Sequence, residues 1–131
     1  MKQPLYNFSV YQGADESFPF SFYTGEEGAE TPVDLTGCTF VMTLRQSHNK
    51  PIVDSLTSEN KRINVGIINS DGAFESTEVA PNAICVEFPH DVTTNFVFPS
   101  AVYDLFKIAG DGTRELLIQG TITVERSVSY G

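Results

Sequence analysis

At 131 residues the chain suits one domain, which buries roughly two-thirds of its unfolded surface and needs no metal or disulfide to hold a single core. Its 17 acidic against 8 basic side chains give a formal charge of −9, which repels phosphate backbones and anionic lipid. Nucleic acid and membrane surfaces are therefore not expected as partners.

In chain order, the opening MKQPLYNFSVYQG carries one lysine and no long apolar run, so neither a secretion signal nor a membrane span is expected in it. Apolar residues then recur with a period of two: Tyr6, Phe8 and Val10; Phe18, Phe20 and Phe22; Cys38, Phe40, Met42 and Leu44; Ile63, Val65 and Ile67; Ile84, Val86 and Phe88; and Leu116, Ile118, Ile122 and Val124. Their neighbours are mostly Ser, Thr, Asn, Gln or Glu. Such alternation predicts strands with one face on a core and one in water, paired antiparallel. No segment keeps a helical period for three turns, although Asp91 can cap a single turn at 91–95.

Turn signals separate the strands, at Gly25 to Gly28 with Pro32, Thr36-Gly37, Asn49-Lys50-Pro51, Asp71-Gly72, Pro81-Asn82, Pro89, Pro99 and Asp111-Gly112. Seven to nine short strands spaced in this way predict one all-β domain over residues 1–131, an antiparallel β-sandwich with a closed barrel as the alternative. Residues 69–82 read as a long surface loop or contact arm. Gly120 interrupts the apolar series of the last strand; a bend that lets one strand serve two sheets is expected there, ahead of a close approach by another backbone. Cys38 falls on the apolar parity of its strand and Cys85 on the polar parity, so two free thiols are expected rather than a bridge.

Candidate chemistry is sparse. Gly110-Asp111-Gly112 lies between two apolar runs and reads as a hairpin turn, because Asp-Gly tolerates positive φ and no second acid stands at calcium-loop spacing. The sequence has no G-x-S-x-G, H-E-x-x-H, C-x-x-C or phosphate-cradling loop. His48 and His90 both sit beside turn signals, and neither a metal site nor a cofactor nor a catalytic residue is expected. Asp104 lies inside a strand, where a structural pair with Arg45, or with Lys107 or Arg114, is expected to hold its charge. Tyr11, Tyr23 and Tyr103 fall on the polar parity of their strands, and Tyr130 lies at the tail. Such rings anchor protein contacts or stack on sugars. The contact residues expected are Tyr6, Phe8, Tyr11, Tyr23, Phe74, Val128 and Tyr130, within the leading segment 5–11, the loop 69–82 and the end 128–130.

Over residues 12–126 the order of structural punctuation resembles a known family. Gln12-Gly13, the phenylalanine strand 18–22, Pro32-Val33-Asp34-Leu35-Thr36-Gly37 and a strand ending at Arg45 are followed by Val102-Tyr103-Asp104-Leu105, Asp111-Gly112, Leu116-Leu117, Gly120 and Val124. This pattern is similar to small immunoglobulin-like proteins of tailed bacteriophages, including the amino-terminal domain of baseplate upper proteins. The resemblance implies an immunoglobulin-like sandwich in a virion, assembled in the host cytoplasm. It also implies an adaptor in tail, collar or baseplate, present in multiple copies of a symmetric assembly, that docks fibres or receptor-binding proteins. The connection 59–82 is longer than usual for the family, and Ala101 stands where an aromatic is expected. Rival readings are a capsid decoration protein and a glycan-binding module for a host surface, the latter weakened by the lack of tryptophan.

Overall fold

A computed structural model describes residues 5–25 and 28–126. They form β1 (Phe8–Tyr11), β2 (Glu16–Ser21), β3 (Tyr23–Thr24), β4 (Thr31–Pro32), β5 (Thr39–Arg45), β6 (Ile52–Thr57), β7 (Ile63–Ile68), β8 (Phe74–Ser76), β9 (Ala83–Phe88), a helical turn α1 (His90–Thr93), β10 (Ser100–Ile108) and β11 (Arg114–Glu125). The protein is all-β, and its strands fall into a five-stranded sheet of order β1-β11-β10-β5-β6, a four-stranded sheet of order β2-β9-β7-β8 and the ribbon β3-β4. Every strand pair is antiparallel except β1 with β11, which runs parallel. Eleven strands are described where seven to nine were expected, the excess arising from two-residue strands too short to carry an alternation signal.

The predicted alternation is what builds the interior. Phe40, Met42 and Leu44 of β5, Leu56 of β6, Leu105 of β10 and Ile122 of β11 are buried from one sheet, and Ile63, Ile84, Val86 and Phe88 from the other, in a single cluster. Phe96 and Phe98, on the connection from α1 to β10, join the same cluster. Each fully buried side chain of this size contributes about 1.5–3 kcal/mol of transfer free energy.

Three local expectations are corrected by the register. The first concerns β11: Leu105 pairs with Ile118 but Phe106 with Leu116, so Leu117 is an extra residue. This bulge turns Leu117 toward the core and places Leu116 opposite Phe106, off the inward series. The second concerns Gly120. No bend carries β11 between sheets; instead a Cβ at Gly120 would collide with the Tyr6 carbonyl oxygen, so the glycine admits a crossing backbone. The third concerns Tyr103. It is 4% exposed and points inward with Ala101 and Leu105, because β10 carries large side chains on both parities and its polar face is that of Asp104.

Turn chemistry follows the sequence closely. At the β10–β11 hairpin Gly112 has φ 91°, Thr113 N–H donates to Asp111 Oδ1 at 2.9 Å, and Ala109 N–H donates to the Thr113 carbonyl. The helical turn is capped differently from expectation. Asp91 lies inside it, and the His90 N–H donates to Asp15 Oδ1 at 2.6 Å, so the capping carboxylate comes from the β1–β2 connection.

Candidate interaction surfaces

The leading segment is built into the fold along one side. Tyr6 N–H donates to the Gln119 carbonyl at 3.0 Å, Thr121 N–H donates to Asn7 Oδ1 at 2.8 Å, and the Tyr103 hydroxyl donates to the Tyr6 carbonyl at 2.6 Å. Burial pushes the Tyr103 hydroxyl far above the usual phenol range, with the nearby Tyr6 adding to it, so it remains a donor at any physiological pH. Aromatic rings then fill the space between β1 and β2. The Phe8 ring lies 4.5 Å from Phe18 and 5.4 Å from Tyr103, while Tyr6 stacks with Phe8 at 5.8 Å and meets Phe20 edge-on at 5.5 Å. Of the expected contact residues, Phe8 is thus half-buried in this seam, and Tyr6 is 47% exposed at its rim.

Gln12, next to the seam, is 3% exposed. Its amide nitrogen donates to the carbonyls of Thr94 and Phe96 at 3.4 and 3.3 Å, which ties the β1–β2 connection to the segment before β10. Its Oε1 has no partner among the described residues.

Free edges are where sheets invite another chain, and here several of their groups are taken by the chain's own side chains. On β6 the outward groups of Ser55 and Thr57 are all engaged. Asn60 Oδ1 accepts from Thr57 N–H and Asn60 Nδ2 donates to the Ser55 carbonyl; Asp54 Oδ1 accepts from Ser55 N–H, and Arg62 N–H donates to the Thr57 carbonyl. The Tyr11 N–H of β1 is taken by Glu16 Oε2 at 2.7 Å, and β2 carries Pro19, which has no N–H to offer. Sequence patterning gave no sign of Asn60 in this role, because a side chain that folds back on its own hairpin leaves no periodic trace.

Beyond the closed part of β6, Ile52 and Val53 are 52% and 37% exposed. Val53 borders a groove together with Gln46, Val92, Asn95 and the 65%-exposed Val97. The groove is floored by Phe96 and Phe98, and the Arg62–Asp54 ion pair stands at its side. That pair is bidentate, at 3.0 and 2.7 Å, and Arg62 also donates to the Glu87 carbonyl, stapling β6 to β9. Nothing in the alternation of the chain marks either Arg62 or this apolar groove.

The remaining expected contact residues are scattered. Tyr11 is exposed on the outer side of β1, and Tyr23 is exposed on the β3–β4 ribbon. Phe74 is half-buried in β8, its ring lying over Gly66; residues 69–73 form the tight turn of the β7–β8 hairpin, in which Asn69 Oδ1 accepts from Asp71 and Ala73 N–H, and 77–82 connect β8 to β9 with Val79 exposed. Val128 and Tyr130 lie outside the described residues. Cys38 and Cys85 are both free; Cys85 is buried although it lies on the outward parity of β9, and burial raises its thiol pKa.

Asp104 sits in the middle strand of the five-stranded sheet on its outer face, between Thr43 and Gln119. The expected pair with Arg45 is not made as a direct contact. Arg45 Nη1 instead donates to the Lys50 carbonyl at 2.8 Å, closing its own β5–β6 turn. Asp104 has no hydrogen bond or ion pair among the described residues, and Lys107 pairs with Glu115 instead. Burial raises the Asp104 pKa, an effect countered by the charges of Arg45, Arg114 and His48.

Among the described residues, no group of three or more His, Cys, Asp or Glu is placed to hold a metal ion, and no helix is long and apolar enough to cross a membrane. His90 Nδ1 lies 3.0 Å from Asp15 Oδ1 in an exposed pair. Compared with known proteins, the chain matches no protein-family model and no curated protein.

Proposed function

We propose that this protein is a non-enzymatic structural component of a tailed-phage virion, an immunoglobulin-like β-sandwich serving as an adaptor in the tail, collar or baseplate. The observation that carries this reading is the placement of its exposed apolar side chains. Val53 and Val97 border one groove over Phe96 and Phe98, beside a β6 edge that is capped at Ser55 and Thr57 by its own hairpin's side chains. Exposed apolar groups gathered at one place mark a contact with another protein. Caps on part of β6 and β1 favour a defined neighbour over indiscriminate strand pairing at those positions. Fibres or receptor-binding proteins are the neighbours this reading assigns, in keeping with the resemblance over residues 12–126.

The test is made on particles from a phage or prophage carrying the gene. Mass spectrometry of purified virions should detect the chain at a copy number set by the tail's symmetry, and cryo-electron microscopy should place it between tail and fibre. Particles carrying Val97→Asp should lose fibres while keeping their heads. Absence of the chain from purified particles would sink the reading, and a copy number matching the capsid shell would replace the adaptor by a decoration protein.

A further inference from the structure

We propose that the outer face of the five-stranded sheet is a self-complementary surface on which a second copy of this chain docks, the Asp104 of each copy meeting the Arg114 of the other. The inference begins with Asp104. It is half-buried in the central strand, flanked along β10 by Val102 and Phe106, and its carboxylate has no direct partner among the described residues. A desolvated carboxylate is costly unless a cation and hydrogen-bond donors contact it, and among the described residues Arg45 and Arg114 act on it only from a distance, with no direct pair.

The surroundings complete a docking surface. Val41, Val102, Phe106 and Leu116 lie half-exposed on the same face, an apolar field about the carboxylate. The Arg114 guanidinium lies over the Phe106 ring, 5.1 Å from its centre. Stacking consumes none of the five N–H donors of a guanidinium. One face thus offers an unsatisfied acceptor and, some way along it, a pre-oriented donor. A two-fold axis between the two satisfies both at once, since in such an interface residue i meets j and j meets i.

Charge and area agree. The chain carries a formal charge of −9, so two copies repel over most of their surfaces, but around Asp104 the cations Arg45 and Arg114 outnumber the acid. With nine residues in β10, at about 3.3 Å per residue and about 4.8 Å between strands, the face spans on the order of 500 Å2 per copy. Two such faces reach the roughly 1,000 Å2 that a specific interface requires. The side chains that cap the β6 and β1 edges direct association away from strand pairing and toward this face.

Sedimentation velocity on the full chain from micromolar to millimolar concentration tests the proposal without any virion, so its outcome is separate from that of the adaptor reading. A reversible dimer is expected. Asp104→Arg and Arg114→Asp should each weaken it at least about tenfold, and the double exchange should restore it. Methyl NMR of the unaltered chain on dilution keeps the test independent of variant folding, with shifts expected at Val41, Val102 and Leu116. A chain that stays monomeric at millimolar concentration overturns the proposal. So do single exchanges without effect, a double exchange no better than the singles, or dilution shifts confined to Val53 and Val97.

Discussion

Tyr103 and Asp104 are neighbours in β10, and the two sides of that strand treat a polar group in opposite ways. On the inner side the Tyr103 hydroxyl is buried, yet it finds the Tyr6 carbonyl at 2.6 Å, in a space opened by Gly120 on the paired strand. On the outer side the Asp104 carboxylate is less buried and finds no direct partner among the described residues. The difference separates polar groups that the fold consumes from one that the fold leaves over. A buried donor without its acceptor costs about 1–3 kcal/mol, so the inner arrangement contributes to the stability of the fold. A half-exposed acid on a flat face is tolerated by an isolated domain.

The contrast can be broken most forcefully at Gly120. Gly120→Val forces a side chain into the position of the Tyr6 carbonyl and should cost about 3 kcal/mol in urea denaturation, with residues 5–11 losing hydrogen-exchange protection before β5 does. Retained protection in that segment would show that the glycine is not what admits it. A smaller loss follows from Tyr103→Phe, about 1 kcal/mol, since one buried carbonyl loses its donor while the ring packing survives. Asn60→Ala should cost about 0.5–1 kcal/mol by uncapping Thr57 N–H and the Ser55 carbonyl. Its more telling result is concentration-dependent aggregation by light scattering; an unchanged association state would mean that β6 is protected by something other than this side chain.

The smallest change should carry the opposite sign. The folded-state pKa of Asp104 lies above its ordinary value of 3.8, so ionising it weakens the fold, and the penalty develops as pH rises through the folded pKa. Asp104→Asn should therefore melt above the wild type at neutral pH in dilute, monomeric solution. The gap should narrow as pH falls through that pKa and vanish below 3.8, where both side chains are neutral in both states. A gap that persists below 3.8 would assign the gain to packing rather than to charge.

Much of the fold was legible because period-two alternation reports directly which side of a strand faces the core, as in Phe40, Met42 and Leu44. The Asp111-Gly112 turn was legible for a similar local reason, the tolerance of its residues for positive φ. What escaped were features set by partners distant in sequence. Tyr103 was assigned to the wrong side because Val102, Leu105 and Phe106 offer large side chains on both. The extra residue at Leu117 shifted Leu116 outward without altering composition. Capping of α1 by Asp15 joins residues 75 apart, and the Arg62–Asp54 pair depends on a turn geometry that no pattern of residue types announces. The surfaces suffered most, for exposed side chains answer to neighbours rather than to the core. Val53 and Val97 come together only because β6 and the connection after α1 meet in space.

The parallel pairing of β1 with β11 also orders events in time. Residues 8–11 lie against residues 122–125, so β1 cannot take its place until nearly the whole described chain has been synthesised. Emerging from a ribosome at roughly 5–20 residues per second, Phe8 and Val10 spend several seconds without the strand that covers them. Loop closure over such a separation is entropically slow, which makes the docking of β1 the late step of folding and the interval before it the time at which a chaperone is most needed.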